Sequence, residues 1–172
     1  MAIRTNNFQP VKYGSDRHSI GGKLAVAATR GMIVSRKTGS VDELELSTGK
    51  AGFFLARDCV SAATAKAFVE ADELRPDKAG FVSPYVIDGS VQAEDFEELW
   101  VEGADLLHAS MDVNTRIGDQ VTAVAGKFSE VTSLTTQEVI GKVVLNIPAV
   151  NGGGGRRFLL QIIRSTNPVV AV

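Results

Sequence analysis

The sequence contains very few of the side chains that most often carry catalysis or bind metals. It has one cysteine, Cys59, and two histidines, His18 and His108, among 172 residues. A single cysteine excludes a disulfide within the chain and a cluster built on several thiolates, and it is typical of folding in a reducing compartment. We interpret Cys59 as a small buried apolar residue and the histidines as structural. We therefore expect no catalytic residue, no cofactor and no metal site.

Concentrated charge and long apolar runs are also missing. The formal net charge is -2 and the basic residues are spread along the chain, so no basic patch for a phosphate backbone is predicted and no direct nucleic-acid partner is expected. The longer apolar stretches, residues 24–28 and 52–56, fall far short of the roughly 20 residues of a membrane helix. The polar beginning of the chain lacks the apolar segment of a secretory signal. We therefore expect no membrane partner.

Aromatic residues are scarce and glycine is abundant. Aromatics make up 6% of the chain, whereas 44% of the residues are hydrophobic and 17 are glycine. The apolar residues are thus mostly Val, Ala, Leu and Ile, which suit thin, regular β layers. From Leu24 onward, turns that contain glycine interrupt short apolar runs about every 8–12 residues, the spacing of a β-sandwich or barrel. The sequence predicts a mainly β fold.

Alternation and turn residues predict the individual strands. Leu44 and Leu46 alternate with acidic residues and predict a strand with one apolar face. The other predicted strands are residues 31–35, 51–56, 81–83, 85–87, 118–124, 128–131, 139–147 and 158–163, with a hairpin turn at Asp88 and Gly89. The three strands between residues 118 and 147 are predicted to form a β-meander. Residues 91–101 fit either a strand with Phe96 and Trp100 facing inward or a short helix.

Two segments depart from this pattern. Residues 1–23 show no period, and we interpret them as an extended N-terminal arm outside a single β-rich domain of residues 24–172. Such a segment alone buries too little apolar area to offset its ordering entropy, so we expect it to be mobile unless a neighbouring subunit holds it. Residues 60–113 form an inserted segment within the domain. Its first part, residues 60–74, fits a strand or, preferably, one short helix with a stripe of alanines.

Two further patterns are candidate binding sites. Four glycines, residues 152–155, precede Arg156 and Arg157, but a strand-like segment follows, where a phosphate-binding loop would continue into a helix through Lys and Ser or Thr. We therefore interpret this loop as a hairpin tip that a partner orders. Five acidic residues at positions 94, 95, 97, 98 and 102 lack the spacing of a calcium loop. They are interpreted as a solvated or subunit-facing acidic surface.

A resemblance to a known family lies in the second half of the chain. The motifs GDQV at residues 118–121, AGKF at 125–128 and VIGKVV at 139–144 resemble a pattern found in the capsid decoration, or cement, proteins of tailed bacteriophages. The glycine-punctuated residues 31–56 are similar to the N-terminal half of those proteins. The resemblance covers about half of the chain, and the inserted segment and the four-glycine loop depart from it.

The resemblance implies a structural function. It implies a β-barrel or β-tulip-like sandwich, usually trimeric, that binds the outside of a virion between major capsid protein subunits after synthesis in the host cytoplasm. The alternatives are a carbohydrate- or receptor-binding domain of a tail or fibre and, less favoured, a small β-barrel enzyme. The arm and the four-glycine loop are predicted to make the partner contacts. The predicted partner-binding residues are Asn6, Asn7, Phe8, Gln9, Tyr13, Gly152, Gly153, Arg156 and Arg157.

Overall fold

The computed structural model of the chain describes residues 7–12, 19–59, 90–148 and 156–163, and every regular element in these ranges is a strand. The predicted mainly β fold is therefore confirmed. The strands are β1 (Asn7–Lys12), β2 (Ser19–Leu24), β3 (Ile33–Arg36), β4 (Glu43–Leu46), β5 (Phe53–Leu55), β6 (Ser90–Glu94), β7 (Glu98–Glu102), β8 (Gln120–Val124), β9 (Lys127–Glu130), β10 (Gly141–Ile147) and β11 (Arg157–Ile162). The described ranges hold no helix long and apolar enough to cross a membrane.

The strands form a closed barrel and a separate sheet. The barrel has the order β2-β4-β3-β5-β6, and the six-stranded sheet has the order β1-β7-β11-β10-β8-β9. Only β2 and β4 pair in parallel; the other described pairs are antiparallel. Closure leaves the barrel without a free edge. The side chains of Leu24, Val34, Leu44, Leu55 and Ala93 are at most 3% exposed.

The N-terminal segment that the sequence indicated as an arm contributes strands to both sheets. β1 pairs with β7 from Asn7 to Lys12, and β2 pairs with β6 from Ser19 to Lys23. The described parts of the segment are extended, but they lie inside the fold. The physical reason is pairing with strands that are distant in sequence, as in the pairs Ser19 with Glu94 and Asn7 with Glu102, which supplies the hydrogen bonds and burial that the segment lacks by itself.

The chain leaves the six-stranded sheet at Lys12 and returns to it at Glu97. The Glu97 N–H donates to the Lys12 carbonyl at 2.9 Å, and Lys12 Nζ lies 2.6 Å from Glu97 Oε2. All the strands of the barrel lie between these two residues in sequence. The barrel is thus inserted between two adjacent strands of the sheet. A hydrogen bond and an ion pair between Lys12 and Glu97 hold the two ends of the inserted segment together.

The described end of the predicted insertion is also part of the fold. Within residues 90–113, β6 closes the barrel, and β7 lies between β1 and β11 in the sheet. The strand interpretation of residues 91–101 is therefore correct, although two strands are present. Phe96 is buried as predicted, but Trp100 is only half-buried, because Leu99 and Val101 occupy the inward positions of β7.

Four phenylalanines join the barrel to the sheet. The ring of Phe54 on β5 stacks on Phe128 of β9 with centroids 5.8 Å apart, and Phe8 and Phe96 complete the cluster at 5.6–6.2 Å. Gly31 lies against this cluster with a φ of +90°, and a Cβ there would stand 2.5 Å from the Phe8 ring. Glycine is required at this position because both the backbone conformation and the close approach disfavour a side chain.

The predicted meander has the right strands in a different order. β8 pairs with β9, but β10 pairs with β8 and not with β9. The outer edge of β9 is already occupied, because the Phe128 N–H donates to the Leu106 carbonyl and the His108 N–H donates to the Phe128 carbonyl, both at 2.8 Å. Residues 131–140 therefore carry the chain past β8, where the Ile140 N–H reaches the Val121 carbonyl at 2.8 Å.

The other strand predictions fall into two groups. The strands predicted within residues 31–56 and 158–163 are present, and the turns between them use Gly39 and Gly49 with positive φ. The predicted helix at residues 60–74, the strands at 81–87 and the hairpin turn at Asp88 and Gly89 lie outside the described residues.

Replacing Phe8 tests whether the N-terminal strand is part of the core. We expect Phe8→Ala to lower the free energy of unfolding by about 3–5 kcal/mol, because it leaves a cavity in a closely packed core. Val41→Ala is the matched control, since Val41 is 81% exposed and its replacement should change stability by less than about 0.5 kcal/mol. Urea unfolding of both variants measures the difference. Equal stability would mean that the Phe8 ring does not pack as described.

Candidate contact surface

The outer face of the six-stranded sheet brings together two of the predicted partner-binding residues. Gln9 of β1 and Arg157 of β11 lie on either side of Trp100 in β7. Arg157 Nη2 donates to Gln9 Oε1 at 3.0 Å, and the guanidinium carbon lies 4.7 Å from the centroid of the indole ring. A cation over an aromatic face is attracted by the ring quadrupole. The three side chains therefore form one packed unit across three strands.

The stacked guanidinium is partly removed from solvent. Arg157 Nε is buried and has no hydrogen-bond partner, while Nη2 is held by Gln9. The guanidinium thus lies over the indole ring, and its hydrogen bond to Gln9 restricts its orientation. One face of Trp100 is covered by Arg157, so this indole does not present both faces as a platform for a sugar ring.

The neighbouring Arg156 has a different role. Its Nη1 donates to Asn146 Oδ1 at 2.9 Å, and Asn146 Nδ2 donates to the Thr115 carbonyl at 2.7 Å. Arg156 therefore ties the start of β11 to β10 and to the loop that precedes β8. Of the two arginines predicted to contact a partner, Arg157 lies on the outer face and Arg156 is engaged within the chain.

The remaining predicted contact residues separate into three groups. Phe8 is 8% exposed and packs in the aromatic cluster, so it is not available to a partner; the sequence reasoning placed it in a loose arm and missed its strand pairing. Asn7 opens β1 opposite Glu102. Asn6, Tyr13, Gly152 and Gly153 lie outside the described residues.

Other residues of this face were not predicted from the sequence. Leu145 and Ile147 of β10 are 41% and 40% exposed, although simple alternation would place them on the same face as the buried Val143. A bulge between Val143 and Leu145 shifts the register, and one extra residue moves every later side chain to the opposite face. Alternation alone carries no signal for such a bulge.

The acidic residues do not gather into one site. Glu97 pairs with Lys12, whose pKa is raised by its hydrogen bond and charge attraction to that carboxylate, while Glu98 and Glu102 lie on the outer face of β7. The described part of the chain contains no group of three or more His, Cys, Asp or Glu residues placed to hold a metal ion.

His108 stabilises a turn in the loop after β7. Its Nδ1 accepts the Ser110 N–H at 3.3 Å and lies 3.1 Å from Ser110 Oγ. Ser110 Oγ is 2.9 Å from Ser129 Oγ and accepts the Glu130 N–H at 3.1 Å. The ring and both hydroxyls thereby attach this loop to β9. His18 lies outside the described residues.

Cys59 is buried, as predicted, and is 6% exposed. Its backbone forms an isolated antiparallel bridge with Ala28, with N–H to carbonyl distances of 2.7 and 3.0 Å. Burial raises the pKa of the Cys59 thiol, because the apolar surroundings disfavour the thiolate. The group is therefore less nucleophilic at neutral pH than an exposed cysteine.

The fold defines a β protein in which a closed barrel is inserted into an antiparallel sheet, and this fold is similar to that of a solved structure. That structure is the head fiber gp8.5 N base in bacteriophage phi29, with a TM-score of 0.50 and 12% sequence identity; the match covers 89% of this chain and 99% of that chain. At this identity the similarity shows the fold. No protein-family model and no curated protein matches the sequence.

The single tryptophan makes the stacking of Arg157 on Trp100 measurable. We expect Arg157→Gln to increase the quenching of tryptophan fluorescence by acrylamide, because the guanidinium no longer shields the indole. The free energy of unfolding should fall by about 0.5–1 kcal/mol, which is the contribution of a partly exposed cation–π contact. Arg116→Gln is the control, since Arg116 is an exposed arginine outside this unit. Equal quenching in the two variants would contradict the stacked geometry.

The buried thiol predicts a pH dependence of stability. The pKa of Cys59 is higher in the folded than in the unfolded chain, so the unfolded chain releases the proton first as pH rises. The buried, protonated thiol contributes its full stabilisation below the pKa that Cys59 has in the unfolded chain. This contribution is lost as pH rises through the pKa of Cys59 in the folded chain. Urea unfolding between pH 7 and about 9.5 should show wild type losing stability relative to Cys59→Ala. Parallel pH profiles would show that burial does not perturb this thiol.

Proposed function

We propose that this chain is a structural virion protein that binds the outer surface of a tailed-phage capsid and stabilises the contacts between major capsid protein subunits. The observation that carries the proposal is the match of its fold to almost the whole of a phage head fiber base. The resemblance of residues 118–144 to capsid decoration proteins is a second, separate line of support, because it comes from sequence motifs alone.

In this proposal the chain acts by binding and not by turnover. Its partners are the major capsid protein and further copies of itself, as a homotrimer, and its location is the exterior of the virion. It uses no cofactor. Repetition of a modest contact over a symmetric shell gives firm attachment, since each additional contact within an assembly is made at a high effective concentration.

The structure has features that suit such a role. The barrel has no free edge, and the outer edge of β9 is covered by residues 106–108. The opposite edge strand, β1, contains Pro10 and a bulge between Pro10 and Lys12. Proline and bulges on an edge strand limit uncontrolled strand addition. A protein displayed in many copies on one particle needs this protection, because local concentrations are high.

Co-sedimentation tests the proposal. Empty shells assembled from the major capsid protein encoded in the same genome are mixed with increasing amounts of the purified chain and pelleted. We expect saturable binding, and a higher temperature of shell disruption when the sites are filled. Competition by unlabelled chain is the control for trapping. A chain that stays in the supernatant would refute capsid binding, and binding without a change in disruption temperature would refute the stabilising role.

A further inference from the structure

The connection between β7 and β8 ends in two consecutive β-turns. In the first turn, the Thr115 N–H donates to the Asp112 carbonyl at 3.4 Å, and in the second the Asp119 N–H donates to the Arg116 carbonyl at 3.1 Å. Each of these bonds joins the first and the fourth residue of a turn. We name residues 112–119 the double turn.

An aspartate side chain fixes the backbone of each turn. Asp112 Oδ1 accepts the Asn114 N–H at 2.7 Å, and Asp119 Oδ2 accepts the Arg116 N–H at 2.6 Å. Gly118, at the third position of the second turn, has a φ of +97°, which glycine adopts without steric cost. Local hydrogen bonds therefore hold both turns in one conformation before any partner binds.

The six-stranded sheet holds the double turn in place. The Gly118 N–H donates to the Val143 carbonyl at 2.8 Å, and the Val143 N–H donates to the Asp119 carbonyl at 2.9 Å. Asn146 Nδ2 donates to the Thr115 carbonyl at 2.7 Å, and Thr115 is only 3% exposed. Both turns are thus attached to β10, and the double turn is a fixed part of the fold.

The second position of each turn carries an exposed, β-branched apolar side chain. Val113 and Ile117 are both 68% exposed, whereas Gly, Pro, Asn, Asp and Ser are the usual residues of turns. A single exposed apolar residue needs no explanation. Two of them at equivalent positions of one fixed unit depart twice from local preference and bury little area in return. Such departures are expected at functional sites.

A positive charge without a partner lies between these two residues in sequence. Arg116 is exposed, and no carboxylate in the described ranges forms an ion pair with its guanidinium. The two carboxylates of the double turn, Asp112 and Asp119, accept backbone N–H groups. The double turn thus offers two apolar side chains and one free positive charge. The complementary surface is an apolar depression with a carboxylate at its edge.

We infer that the double turn is the part of this chain that docks on the capsid shell, in an apolar depression of the shell protein whose edge carries an acidic residue. The inference rests on the proposed function and names its contact. Val and Ile are stiff at χ1 and the backbone is already ordered, so docking costs little conformational entropy. Repetition over a symmetric shell makes a contact of this size sufficient for attachment.

The first test replaces both apolar side chains and measures co-sedimentation with empty shells. Val113→Asn combined with Ile117→Asn should lower the affinity for the shell by about tenfold or more, because side chains at the centre of a contact carry most of its binding energy. Asparagine is favoured in turns, so the urea midpoint should equal that of wild type. Val41→Asn combined with Leu134→Asn is the matched control: these residues are 81% and 58% exposed outside the strands, so affinity should not change.

The second test reverses the charge between the two apolar residues. Arg116→Glu should weaken shell binding by about tenfold at low salt, because it brings two negative charges together. The loss should be smaller in about 0.5 M salt, which screens exposed charges. Arg57→Glu, at an exposed arginine after β5, is the control and should bind as wild type does. Equal weakening in the two variants would show a response to net charge and exclude the acidic edge.

Three further results would overturn the inference. Wild-type affinity in the Val113 and Ile117 variant, on a shell that the wild type binds, would leave the proposed function standing and exclude the double turn from the contact. An equal loss in the Val41 and Leu134 variant would show that any such surface change weakens binding. Pelleting of wild type with phosphatidylcholine and phosphatidylglycerol vesicles, lost in the Val113 and Ile117 variant, would assign these side chains to a membrane. A wild type that binds no shell refutes the proposed function, and the inference with it.

Discussion

The packing of four phenylalanine rings holds the two sheets in one core. Phe54 comes from the barrel, Phe8 and Phe128 come from the two edge strands of the six-stranded sheet, and Phe96 precedes β7. Four of the eight phenylalanines in the chain form this contact. Because the barrel is a closed surface and the sheet is not, the rings determine which face of the sheet is inward. That choice in turn places Trp100 and Arg157 on the opposite face of the sheet, where they are half-buried.

Local features of the fold were predictable, and long-range pairing was not. Gly39, Gly49 and the turn at residues 125–126 separate apolar runs, so the strands on either side could be identified from a few residues. The partner of β1 lies in β7, and the partner of β2 lies in β6. Nothing within residues 1–23 carries that information. A segment without a period looks like an arm until the strand that pairs with it is known.

For the contact surface too, individual residues could be predicted from the sequence, but the contacts between them could not. Gln9 and Arg157 were identified by their place near the chain start and the four-glycine loop, but their hydrogen bond spans 148 residues of sequence. Trp100 was expected to face inward, but its neighbours Leu99 and Val101 occupy the inward positions of β7. Leu145 and Ile147 reach the surface through a bulge, a backbone event that apolar alternation cannot reveal.

The insertion of the barrel between β1 and β7 has a consequence for synthesis on the ribosome. β1 is translated before all the barrel strands, yet its neighbour β7 does not emerge until residues 98–102 have been added. At about 5–20 residues per second, β1 waits several seconds beside a barrel that is being completed. In the described part of the chain, β2 to β6 follow one another with no strand of the six-stranded sheet among them. All the described barrel strands are thus synthesised before the neighbour of β1, and β1 gains its strand partner only after the barrel strands have been made.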